Sequence, residues 1–155
     1  MKLARTIRLD ESDLNIFETP AELDEWAISG GFAFADWTEA ELTGKQRQAF
    51  ANGWLGLESF GRSTFVVVTT ISQQEYDKLV EDLAQHFVDR YGAPDAEAAR
   101  PVAEAELADM RELCEAQTDN VFLAVSRELV GDGVRESYRA IEPQLADLSQ
   151  FAVHG

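Results

Sequence analysis

Residues 65–91, FVVVTTISQQEYDKLVEDLAQHFVDRY, change period part-way along. From Phe65 to Ile71 apolar side chains fall on both parities, as in a strand covered on both faces, and the segment is read as the central strand of a sheet. Ser72-Gln73-Gln74-Glu75 then has the spacing of a capping box, in which hydroxyl and carboxylate satisfy each other's free backbone donors. Tyr76, Leu79, Val80, Leu83, Phe87 and Tyr91 follow at helical intervals, and Gly92 and Pro94 close the helix. A buried strand running into an amphipathic helix puts both kinds of element around one core.

Downstream, Asp95 can cap a second helix, Pro101 fits the first turn of a fresh segment, and Ala103, Leu107, Met110 and Cys114 form its apolar stripe, so two helices make an antiparallel hairpin. Residues 121–129 and 134–141 flank Val130-Gly131-Asp132-Gly133, the turn of a β-hairpin. A short helix after Pro143 carries Leu145, Leu148 and Phe151. Upstream, Leu3, Arg5, Ile7 and Leu9 share one parity of a half-exposed strand, which leaves Arg5 either at a sheet end or paired with a buried carboxylate. Residues 10–25 read as loop, anchored by Ile16 and Phe17. Trp26, Ile28, Gly30, Phe32 and Phe34 alternate with small residues and read as one strand. Thr38-Glu39-Ala40-Glu41 resembles a capping box, the well-formed helix spans 44–52, and Gly53, Gly56 and Gly61 break helical order. The expected fold is a single α+β domain, 1–155, with a mainly antiparallel sheet of about five or six strands and a helix pair packed on one face.

The chain has 155 residues, 13 basic against 29 acidic, for a net charge of −16. That sign opposes a phosphate backbone or an anionic leaflet, so neither nucleic acid nor membrane is an expected partner. No Lys or Arg occurs between Arg8 and Lys45, a stretch rich in Asp and Glu. A partner with a cationic surface could read that field, although solubility through self-repulsion explains it as well. The single cysteine permits no intramolecular disulfide, and the N-terminus lacks a signal-length apolar run, which points to the cytoplasm.

Catalytic signatures are missing from the sequence. Two histidines and one cysteine, at positions 86, 154 and 114, have no metal-ligand spacing, so neither a metal nor another cofactor is expected. No nucleophile elbow, Walker loop or dinucleotide fingerprint occurs, and no catalytic residue is assigned. Asp82 and His86 are one helical turn apart, which allows a carboxylate-oriented imidazole, but the pair reads as part of a solvated helix face because charge runs on amphipathic helices are ordinary. The local feature with chemical content is Glu58-Ser59-Phe60-Gly61-Arg62-Ser63-Thr64. Arg62 offers a planar donor fork, Ser63, Thr64 and free turn amides could complete an anion site, and Trp54 or Trp26 could wall it. The competing reading is a hairpin turn whose Arg62 neutralises Glu58.

Residues 1–10 (MKLARTIRLD), Glu25-Trp26-Ala27-Ile28-Ser29-Gly30, Gly53-Trp54-Leu55-Gly56 and Ser59-Phe60-Gly61 resemble an uncharacterised family of short bacterial proteins, a domain of unknown function. Relatives often carry Pro-Gly before the Glu-Trp pair, where this chain has Leu23-Asp24. The resemblance spans nearly the whole chain and implies no activity, cofactor or catalytic residue. Two functions are therefore expected: a non-catalytic accessory or protein-interaction domain, with homodimerisation its leading contact, or a binder or enzyme for a small anionic ligand at the Arg62 turn.

Overall fold

The computed structural model describes residues 1–141 apart from Asp10, Asp36 and Asp132; the helix expected after Pro143 lies outside these residues. The chain runs β1 (Lys2–Ile7), α1 (Ser12–Ile16), β2 (Trp26–Ile28), a 3-10 turn (Gly31–Phe34), α2 (Gly44–Asn52), β3 (Trp54–Gly56), β4 (Arg62–Ser63), β5 (Phe65–Thr70), α3 (Gln73–Tyr91), α4 (Ala96–Glu115), β6 (Phe122–Val130) and β7 (Gly133–Ile141). The seven strands form one curled antiparallel sheet in the order β4-β3-β2-β1-β5-β6-β7. The α+β class and the mainly antiparallel sheet stand as expected. Its size does not, because β3 and β4 are too short to show any period in the sequence.

Sequence logic is plainest in the helix pair. Ser72 and Glu75 form the reciprocal capping box of α3, and Gly92 ends it. Asp95 caps α4 through the Ala98 amide at 2.7 Å. Because that cap starts the helix at Ala96, Pro101 sits inside α4 instead of opening it; the buried stripe Ala99, Ala103, Leu107, Met110 and Cys114 holds the helix together despite the missing N–H. Leu79, Leu83 and Phe87 of α3 join that stripe and Leu3, Ile28, Trp54, Val66, Val68 and Leu123 of the strands in one core.

Other expectations are corrected. The central strand is β1, while β5 lies one place out and buries Val66 and Val68 but leaves Phe65 and Val67 half-covered. The strand read across Trp26 to Phe34 stops at Ile28. Gly30 takes φ +74° and turns the chain into the 3-10 turn, and a Cβ there would lie 2.5 Å from Leu55 Cβ and 2.8 Å from an Arg62 nitrogen. Residues 10–25 are not all loop, since α1 forms within them, with Phe17 buried behind it. Arg5 neither ends the sheet nor meets a buried acid: its guanidinium lies 3.8 Å over the Trp26 ring and 3.7 Å from the half-exposed Glu75. Helix 44–52 and the 121–141 hairpin form where expected.

Candidate functional site

β4 places successive side chains on opposite faces, which separates Arg62 from Ser63. Its backbone is held on the outer side by the 19–21 segment, through Arg62 N–H to Thr19 O and Ala21 N–H to Arg62 O, both 2.8 Å. Ser63 Oγ donates to Ile7 O at 3.0 Å, and both the amide (3.2 Å) and the hydroxyl (2.5 Å) of Thr64 donate to the buried carboxylate of Asp13. Trp54 is fully buried and stacks on Tyr138, with ring centroids 5.8 Å apart. Of the four residues assigned from sequence to an anion site, Ser63, Thr64 and Trp54 thus lie away from Arg62 in fold-stabilising contacts.

The turn amides are also taken. Glu25, 1% exposed, accepts from Glu22 N (2.6 Å), Glu58 N (2.8 Å), Ser59 N (2.7 Å) and Ser59 Oγ (2.6 Å). This carboxylate is the internal anion that organises the β3–β4 turn. Gly56 is part of the arrangement, since a Cβ there would lie 2.6 Å from a Glu25 oxygen. Glu58 does not pair with Arg62, so the neutralised-turn reading fails as well.

Arg62 turns inward instead, to a second buried arginine that sequence reasoning missed. Arg127 on β6 donates to Phe50 O (2.8 Å) and Gly53 O (3.0 Å) at the end of α2, to Ser29 O, and to the Glu136 carboxylate at 2.6 Å. It supplies the cation that α2 lacks in its own last turn. Arg62 donates to the same Gly53 O and to Gly30 O, both 3.2 Å, and lies 4.8 Å from the Phe34 ring centroid. No described carboxylate forms an ion pair with it. Tyr91 and then Glu136 favour its charged form, and the Glu136 carboxylate is taken by Arg127, Ser29 and Tyr138. Burial and then the Arg127 charge pull the Arg62 guanidinium down to about 9, which leaves it charged at neutral pH.

Arg62 borders a cleft of about 650 Å³ together with Ser59, Phe60, Trp37, His86, Arg90 and Tyr91. His86 stacks flat on Phe60, with centroids 3.7 Å apart and planes 4° from parallel. Burial, then the nearby Arg90 charge, lower the His86 pKa against the smaller opposing effect of Asp89. Asp82 is bonded to Lys78 at 2.7 Å on the exposed face of α3, as the solvated-face reading has it, and does not orient His86. The fold therefore brings Arg62 and His86 to one cleft while Arg5 sits elsewhere over Trp26. Cys114 is fully buried, and burial pushes its thiol up to about 12, which makes it an inert core residue. Among the described residues no group of three or more His, Cys, Asp or Glu side chains is placed to hold a metal, and no helix is long and apolar enough to cross a membrane.

A model built for a family of unknown function, DUF6505, matches residues 1–155. The chain belongs to DUF6505. No curated protein and no solved structure matches it. The segments that carry the resemblance now have a structural meaning in this DUF6505 chain: Glu25, Gly56 and Ser59 meet at one carboxylate, while Gly30 and Gly53 present their carbonyls to Arg62.

Proposed function

We propose that this protein is a binding protein for a small anionic ligand, held in the cleft beside Arg62. The observation that carries the reading is a buried arginine, 8% exposed as a residue, that lines the cleft and has no acid partner among the described residues. A buried cation left without a counter-charge is costly, and an anion entering the cleft removes that cost while meeting a planar donor fork. Two of the five Arg62 N–H groups bond to Gly53 O and Gly30 O, which aim the fork and leave donor capacity for a ligand.

The test is thermal unfolding with acetate, benzoate and inorganic phosphate at constant ionic strength, against a chloride control. At least one anion should raise Tm in the wild type, and Arg90→Ala, a rim change that leaves the core intact, should reduce the shift. Arg62→Lys keeps the charge, loses the fork and should abolish it. No shift beyond chloride for any of the three contradicts the reading.

A second reading, a non-catalytic accessory or interaction role with self-association, is favoured by β7. It ends the sheet with Val134 39% and Tyr138 44% exposed. Such an edge can pair with a second copy of the chain, or its region can meet a cationic partner surface. A cytoplasmic setting belongs to this reading, with the sole cysteine an unpaired buried thiol. Light scattering of the purified protein across a concentration series separates a dimer from a monomer.

A further inference from the structure

The geometry points to a flat aromatic monocarboxylate as the ligand class of the Arg62 cleft. This inference rests on the anion-binding reading and specifies its ligand. Three observations on different parts of the cleft support it.

The first concerns the head group. Phosphate sites are commonly built from several backbone N–H groups converging on one point. The turn amides that could serve here, Glu58 N and Ser59 N, are bound at 2.8 and 2.7 Å by the Glu25 carboxylate. Ser59 Oγ also donates to Glu25, at 2.6 Å. What remains for the ligand's anionic group is the Arg62 guanidinium, whose N–H groups not used by Gly53 O and Gly30 O can meet a planar carboxylate.

The second observation is charge. Arg62 and Arg90 border the cleft with Asp89 as the acid among its lining residues, while Arg127 behind is paired with Glu136. The balance at the cleft is one positive charge, which a monoanion neutralises and a dianion exceeds.

The third is the wall. Phe60 holds a left-handed backbone, φ 57°, which is unfavourable for a non-glycine residue, and in that conformation its ring lies flat against His86 at 3.7 Å. Trp37 and Tyr91 add two more ring systems to the lining. Four ring-bearing side chains around one cationic anchor give a planar body stacking and edge contacts that a saturated ring of similar size cannot match.

Benzoate is the probe. Its affinity for the wild-type protein, measured by ligand-observed NMR or calorimetry, is compared with cyclohexanecarboxylate, acetate and inorganic phosphate. Benzoate should bind about tenfold more tightly than cyclohexanecarboxylate and acetate, a difference of about 1.4 kcal/mol. Tyr91→Ala, which removes one ring of the wall, should bring the benzoate-to-cyclohexanecarboxylate affinity ratio most of the way to one. Equal binding of benzoate and cyclohexanecarboxylate, or tightest binding of phosphate, overturns the inference while the anion-binding reading survives. If none of the four binds, both fall.

Discussion

Glu25 and Arg62 meet the same difficulty, a charge withdrawn from water, in opposite ways. Glu25 is surrounded by protein donors, whereas Arg62 donates to two carbonyls and has no acid partner among the described residues. Glu25→Gln turns an amide group toward N–H donors in place of a carboxylate oxygen. The unfolding midpoint in urea should fall by an amount equal to about 3 kcal/mol, with the slope unchanged. A loss under about 0.5 kcal/mol would mean that the turn does not depend on this carboxylate. The sequence marks Arg62 by its chemistry and its glycine-bearing turn, and in the fold Arg62 lines a cleft. Its companions were misjudged because adjacency in sequence was taken for adjacency in space, whereas on a strand neighbours face opposite ways, sending Ser63 and Arg62 to different sides. Arg127 carried no signal in the sequence. Its role depends on the far end of a hairpin meeting the last turn of α2, a contact between residues 127 and 50.

At the scale of elements, legibility followed length and local chemistry. α3 and α4 announce themselves by caps and long apolar stripes, and the β6–β7 hairpin by its glycine turn. β3 and β4 have three and two residues, and only their pairing with β2 and with each other makes them strands. Gly30 defeated the reading of β2 because alternation continues through residues 31–34, although the backbone turns at φ +74°. The α3 cap provides a control that separates stability from binding. Ser72→Ala removes the hydroxyl that accepts from the Glu75 amide at 3.1 Å and should lower stability by about 1 kcal/mol. Anion-induced thermal shifts should stay unchanged, because this end of α3 is remote from the turn that presents His86 and Arg90.

Across the whole molecule, a chain of net charge −16 keeps two arginines buried where the sheet curls toward α2, and only one of them has an acid partner among the described residues. A net negative charge repels polyanions at long range, and salt screens such a field within about 10 Å. The cleft is where the proposed anion would sit, between Arg62 and Arg90. The claim is tested most directly at the Arg62 side chain itself, by following arginine Nε–Hε signals in a ¹⁵N-labelled sample. Benzoate is titrated in, with Arg62→Lys and Arg127→Lys assigning the two buried resonances. The account predicts a saturable shift of the Arg62 signal, with the Arg127 signal nearly fixed by its bond to Glu136. An Arg62 signal that stays in place to saturating benzoate, and does the same with acetate and phosphate, would contradict it.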